Sequence, residues 1–201
     1  MHAEQGVRAA EAGVHVITEK PIATTMGGAE SLVAACASKG VQLAVVHQYR
    51  FFAPLVTLKH AIDSGALGKV IYLNVSLYWR RSPSYYSENG GWRGTWKWDG
   101  GGALMNQGIH AVDLARWLVG PIETVTALTT NVLHSIEGED TACVALAFAR
   151  GGLGMLQVTT CAAENQPATV TVEGTEGTAV VRGEELVVNG RPVELRPKDL
   201  R

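Results

Sequence analysis

The chain has 201 residues, 46% hydrophobic and 18% charged, with a formal net charge of −2. That length supports one ordinary domain or two small ones with a real core. The slightly acidic balance excludes a basic nucleic-acid surface, and no apolar run approaches the roughly 20 residues of a membrane span.

The opening AEQGVRAAEAG reads as a helix stopped by Gly13, and MHAEQG carries no signal-peptide pattern. VHVIT (14–18) is a β-branched strand. Thr24 or Thr25 can cap a helix running to about Lys39 and closed by Gly40, after which VQLAVVH (41–47) is a second apolar strand. Continuous apolar strands joined by helices predict a parallel sheet covered on both faces.

From Phe52 the texture changes. PLVTLKHAIDSGALG predicts a helix, and KVIYLNVSLYW alternates like a half-buried strand. Residues 80–99 read as a loop rich in aromatics and arginines. Beyond Pro121, six short strands are separated by hairpin-type turns such as ARGG, EGTEG and NGRP. The expected fold is therefore α/β and α+β. A partial Rossmann unit of parallel βα segments (1–49) is followed by a mostly antiparallel sheet with helices on one face (50–201).

Between these parts lies GGGALMNQGIHAVDLARWLVG (100–120), read as a single helix entered through three glycines. At 100° per residue, Asn106, His110, Asp113 and Trp117 fall within a ~60° arc opposite an apolar stripe. That stripe fits an active-site wall, and it equally fits an amphipathic helix showing polar groups to water.

Three stretches resemble the Gfo/Idh/MocA family of NAD(P)-dependent oxidoreductases. EAGVHVITEKPIATT is similar to a family segment through Gly13, His15, Val16, Glu19, Lys20 and Pro21. HQYRFFAP resembles the family's Arg-Phe junction between domains, and GGGALMNQGIH…D resembles its substrate helix. The motifs stand in family order across essentially the whole chain. Asn106 departs from the Asp many members carry, and Met-Asn-Gln resembles the branch acting on nucleotide sugars and related substrates. His2 resembles a family histidine in the loop after a Rossmann strand. The resemblance implies a complete βαβ unit with a Gly-rich phosphate turn. The first residues hold no such turn, so the chain is expected to start within the family's first domain, whether by a real truncation or by a misplaced start.

What the resemblance implies for activity is hydride transfer between NAD or NADP and a sugar, nucleotide sugar or polyol. His110 is the candidate acid/base, because an imidazole exchanges protons near neutrality; the ordinary alternative is a helix histidine bonded to a loop carbonyl. Lys20 sits after a strand, where open α/β sheets bind ligands, and an ammonium there would favour a developing alkoxide; a snorkelling surface lysine is the alternative. Asn106 would orient substrate or His110. Glu19, Lys20, Pro21 and His2 are expected on the cofactor side. Arg50, Arg93, Trp96, Asn106 and Asp113 are expected on the substrate side. Asp113 either fixes the His110 tautomer or is a solvated carboxylate.

Four of the five tryptophans fall between Tyr78 and Trp98 among Arg80, Arg81 and Arg93. Such a mixture suits a sugar bearing an acid or a diphosphate, or a dimer interface. No metal is expected, since the histidines show no paired ligand spacing. Cys36, Cys143 and Cys161, scattered in apolar stretches, read as buried free thiols of a cytoplasmic protein. The uncovered sheet face predicts a homo-oligomer. Two rival readings stay open: an NAD-dependent glycosidase of the same family, and a non-catalytic, dimerising sugar-binding chain.

Overall fold

The computed structural model describes residues 2–195. The chain opens with α1 (His2–Glu11), β1 (Val16–Glu19), α2 (Met26–Ser38) and β2 (Leu43–Val46). Thr25 is the cap of α2, its Oγ1 accepting the Gly28 N–H at 3.2 Å. β1 and β2 pair in parallel from Val16 opposite Leu43 to Glu19 opposite Val46. Ala10, Val16, Leu32 and Cys36 make the small core beneath α1 and α2. The sheet is not covered on both faces, as the apolar runs predict, because Ile17 is 78% exposed.

A 3₁₀ turn at Gln48–Phe51 leads to α3 (Ala53–Asp63), β3 (Val70–Tyr78), α4 (Pro83–Ser87), α5 (Ala103–Asn106) and α6 (Ile109–Leu118). Then follow β4 (Ile122–Thr130), β5 (Thr141–Phe148), β6 (Leu153–Thr159), β7 (Thr169–Gly174), β8 (Thr178–Arg182), β9 (Glu185–Val188) and β10 (Arg191–Pro192). These strands form one sheet in the order β10-β9-β8-β7-β3-β6-β5-β4. Every pairing is antiparallel except β3 with β6.

Alternation decides which face is buried. Leu73, Val75 and Leu77 of β3 point inward beside Val144, Leu146 and Phe148 of β5 and Leu156 and Val158 of β6. Over them lie α3, against β8 and β9, and α6, against β3 and β6. The opposite face carries the half-buried Tyr72, Asn74 and Ser76 and the exposed Leu128 and Cys143, with no helix over it among the described residues. The fold is thus a partial Rossmann unit followed by a mostly antiparallel sheet with helices on one face.

Three details differ from expectation. The 100–120 segment is two helices, with the break at Gln107 and Gly108, where the Gly108 N–H reaches back to the Ala103 carbonyl oxygen at 2.7 Å. The 80–99 loop contains α4 and a 3₁₀ turn at Glu88–Gly90. Of the three free cysteines only Cys36 is buried; alternation turns Cys143 to the open sheet face. Among the described residues, no helix is long and apolar enough to cross a membrane.

Candidate active site

The glycines at 100–102 set the site by close approach. A Cβ on Gly102 would stand 1.9 Å from the Glu139 carbonyl oxygen, and one on Gly100 would stand 2.9 Å from Thr24 Cα. The first contact seats α5 against the sheet; the second seats it against the small parallel unit. Glu139 then caps α5 twice: its carbonyl accepts the Ala103 N–H at 2.6 Å and its Oε1 accepts the Leu104 N–H at 2.7 Å. Asn106 at the end of α5 and His110 in the first turn of α6 are thereby fixed opposite the end of β1.

Lys20 follows β1 directly. Its Nζ donates to the Asn106 carbonyl oxygen at 2.9 Å, across 86 positions of sequence. Asn106 in turn donates through Nδ2 to both oxygens of Asp99, at 2.9 and 3.1 Å, and Asp99 Oδ2 also accepts the Gly94 N–H at 2.9 Å. A carboxylate only accepts, so the Asn106 amide has one orientation: NH₂ toward Asp99 and oxygen away from it. Asp99 is 4% exposed, and burial raises its pKa against the pull of these donors and of Lys20. Burial lowers the Lys20 pKa, with Asp99 and then Glu19 opposing the shift.

Lys20 and Asn106 line two cavities at once. One, of about 260 Å³, is bordered also by His110, Gln107, Tyr85 and Arg81. The other, of about 620 Å³, is bordered also by His2, Pro21, Trp92, Trp98 and Asp99. His110 is 5% exposed, and Tyr49 meets its ring edge-on at 4.8 Å between centroids. Its Nδ1 is enclosed and unpartnered among the described residues, which leaves Nε2 toward the smaller cavity. Burial, followed by the positive charges of Lys20 and His47, lowers the His110 pKa to about 4. A neutral imidazole therefore shares one polar cavity with the Lys20 side chain, the first able to take a proton and the second to donate to an oxygen that gains negative charge.

The remaining predicted residues divide. His2 Nδ1 bonds the Pro21 carbonyl oxygen at 2.8 Å on the larger cavity. Glu19 is exposed. Arg50 and Asp113 find each other, Nε to Oδ2 at 2.9 Å and Nη2 to Oδ1 at 2.5 Å, and neither borders the two cavities. Asp113 makes no bond to His110 among the described residues; its other neighbour is His47, at 3.6 Å. Arg93 stacks on Tyr85 and Trp92 at 4.4 and 4.8 Å and donates to the Tyr85 carbonyl, outside the smaller cavity. Trp96 is 60% exposed. Sequence reading missed Asp99 and Gln107, and named Arg81 only as one of the arginines of the aromatic loop, where the structure makes it a wall of the smaller cavity. Asp99 stands beside the glycine run, and that proximity was its one available signal.

A second cluster, His134, Asp140 and Cys161, brings potential ligand atoms within 4.8 Å of one another. Asp140 is already committed there: its oxygens accept the N–H groups of Val132, Leu133 and His134 and the Thr141 hydroxyl. Those donors hold its pKa down to about 2, against burial. Asp140 is a clamp on the 131–134 turn.

The larger cavity offers the polar groups of Lys20, Asp99 and Asn106 and two indoles, a lining whose chemistry would suit the nicotinamide end of a dinucleotide. Among the described residues no glycine-rich turn joins a strand to a helix, so they supply no pyrophosphate cradle.

Comparisons with known proteins follow the same division. Residues 1–47 match the profile of an oxidoreductase family with an NAD-binding Rossmann fold, and residues 55–180 match that of the GFO/IDH/MocA C-terminal domain. The WlbA dehydrogenase of Bordetella pertussis, solved with NADH and UDP-GlcNAcA, is 39% identical with a TM-score of 0.89, over 98% of this chain and 57% of that one. Levoglucosan dehydrogenase of Pseudarthrobacter phenanthrenivorans is 28% identical over 90% of this chain and 52% of its own length. D-apiose dehydrogenase of Paraburkholderia graminis is 32% identical over 85% of this chain and 45% of its own length. The chain thus spans about half the length of the curated relatives it matches.

Proposed function

Because this chain belongs to the Gfo/Idh/MocA oxidoreductase family, we propose that it provides the substrate wall and the nicotinamide-facing edge of an NAD(P)-dependent oxidoreductase acting on a sugar, nucleotide sugar or polyol. One observation carries the reading: Lys20 and Asn106 are shared walls of two cavities, and His110 borders only the smaller. Substrate in the smaller cavity and nicotinamide in the larger would meet across Lys20. Residues 1–49 form the cofactor-side unit and 50–201 the substrate unit; residues 1 and 196–201 lie outside the described ones.

The bound nicotinamide supplies hydride exchange at a ring carbon. The rest belongs to the chain. The Lys20 ammonium, anchored on the Asn106 carbonyl, donates to the reacting oxygen and stabilises negative charge there. His110 Nε2 takes the hydroxyl proton in oxidation and returns it in reduction. The Asn106 amide oxygen, turned from Asp99, accepts from a neighbouring hydroxyl and sets the ring's orientation. Tyr49 and Phe52 close the cavity on its apolar side and thin the water around the proton transfer. The chain acts as an oligomer through the open sheet face, and its free thiols suit the cytoplasm.

The test is a chimera carrying the N-terminal segment of a levoglucosan dehydrogenase ahead of His2. It should reduce NAD⁺ or NADP⁺ in the presence of a sugar or nucleotide sugar, and His110→Ala should abolish turnover while leaving cofactor binding intact. Turnover unchanged in His110→Ala refutes the acid/base assignment. Sugar cleavage without net reduced cofactor would mark the glycosidase reading. Sugar binding with no chemistry would mark the non-catalytic one.

A further inference from the structure

Away from the two Lys20 cavities, a buried histidine has no role in hydride transfer. His134 is 5% exposed, and neither of its ring nitrogens has a hydrogen-bond partner among the described residues. A neutral imidazole carries one N–H and one lone pair, and both are costly to enclose unmatched. The ring is nevertheless held firmly. Tyr86 packs against it at 4.7 Å between centroids, and the His134 backbone N–H donates to Asp140 Oδ2 at 2.8 Å. It stands beside Asp140 and Cys161, with the potential ligand atoms of all three within 4.8 Å of one another. The Cys161 thiol already hydrogen-bonds the Asp140 carboxylate. Two donors to that carboxylate can rotate away, this thiol and the Thr141 hydroxyl, and the latter has the Thr159 hydroxyl at 2.9 Å as an alternative. Asp140 can thus give a lone pair to a new partner without loosening its three backbone bonds.

We propose that His134, Asp140 and Cys161 form a binding site for one zinc-type divalent ion, held by an imidazole nitrogen, a carboxylate oxygen and a thiolate sulfur. On binding, the Cys161 S–H bond breaks, a bond forms between Sγ and the ion, and the proton leaves to solvent. This mixed set selects a borderline-soft ion over Mg²⁺ or Ca²⁺, which take oxygen ligands. Tetrahedral bonds of about 2.0–2.3 Å place ligand atoms about 3.5 Å apart, so the cluster needs to close by little more than about 1 Å. Torsional adjustment of the Cys161 and His134 side chains can supply that. Three protein ligands leave a fourth position for water, and a cavity of about 720 Å³ that His134 also borders lies beside it. The ion would fasten the 131–134 turn to the end of β6, because Cys161 stands two residues beyond that strand. Positions 134, 140 and 161 form no ligand motif, which is why spacing in the sequence predicts no metal. None of the three residues borders the Lys20 cavities, so the site holds whether or not the oxidoreductase reading does.

Metal titration decides this without substrate or cofactor. The 201-residue chain, treated with a chelator and desalted, is titrated with Co²⁺ and then Zn²⁺. Cys161→Ser, His134→Gln and, as a control at the exposed thiol, Cys143→Ser are titrated beside it, with thermal melts to verify folding. Co²⁺ should bind once per chain and give a near-ultraviolet thiolate-to-metal charge-transfer band, which Zn²⁺ then abolishes. Zn²⁺ should bind with a Kd that is roughly micromolar or tighter, and about a hundredfold excess over Kd should raise Tm by about 5–10 °C. Cys161→Ser should remove the band, and each ligand variant should weaken Zn²⁺ binding about tenfold or more. Cys143→Ser should change neither. If His134→Gln does not fold, Cys161→Ser, a one-atom change at a half-buried position, still decides. A wild-type chain that takes up no Zn²⁺, a band that survives Cys161→Ser or vanishes in Cys143→Ser, a complex that His134→Gln leaves as tight, or equal competition by Mg²⁺ overturns the proposal.

Discussion

Acid should unfold this protein through His110 in a window where ordinary carboxylates are still ionised. An unfolded histidine titrates near 6.5, whereas His110 in the fold does so at about 4. Between those values the unfolded chain binds a proton that the folded chain refuses, so stability falls as pH falls. The contribution is fully present above about pH 6.5, is lost progressively down to about pH 4, and is flat below. At about 1.36 kcal/mol per unit, the depression from 6.5 to about 4 amounts to about 3 kcal/mol, a large share of a small domain's stability. Urea unfolding followed by tryptophan fluorescence, from about pH 7 to about pH 4.5, measures the slope. His110→Gln keeps a neutral polar group without the titration. It will shift stability by some constant, but its pH dependence should be shallower than wild type by about 2–3 kcal/mol across the window. Parallel curves for the two proteins would refute the reasoning, since every other titrating group is common to both.

Other perturbations have different signatures. Asp140→Asn should cost about 2 kcal/mol at neutral pH, from the depression of its pKa to about 2. Because that pKa lies below its unfolded value of 3.8, the wild-type advantage should persist until pH falls through roughly 4 toward 2, beneath the His110 window; urea melts of the variant check this. Gly102→Ala forces a methyl into the Glu139 carbonyl and should destabilise the chain by about 1–3 kcal/mol. Lower turnover of the levoglucosan dehydrogenase chimera should accompany it, because α5 carries Asn106. The conservative Gly27→Ala, which has nothing within 4 Å, should cost nothing measurable in either assay.

Local signals were legible in the sequence where a residue's neighbours in the chain decide its role. Thr25 caps α2, and Gly13 and Gly40 end the first helices, as their types and positions predict. Alternation marks the inner strands β3, β5, β6 and β7 of the large sheet. The parallel pairing of β3 with β6 has no local signal, because both strands alternate like their antiparallel neighbours. The site shows the same divide. EKP and the GGG…H stretch locate Lys20, Asn106 and His110, but the partners of Asn106 and Arg50 are chosen in three dimensions. An arginine at a domain junction and an aspartate on a polar helix stripe both look available to substrate; each is consumed by the other. Arg81 looks like one of several loop arginines, and only the fold makes it, unlike Arg80 and Arg93, a wall of the smaller cavity.

The Lys20–Asn106 bond joins two very unequal anchors. Asn106 and His110 rest on a core of 22 buried residues, whereas β1, which delivers Lys20, rests on a cluster of four and two short strands. Amide exchange should therefore be fast in β1 and slow in β3, with the loss of Lys20 from the cavity timed by local opening of the small unit. The site is only as long-lived as its weaker shore, and a ligand bridging both cavities would lengthen that lifetime by holding the two shores together.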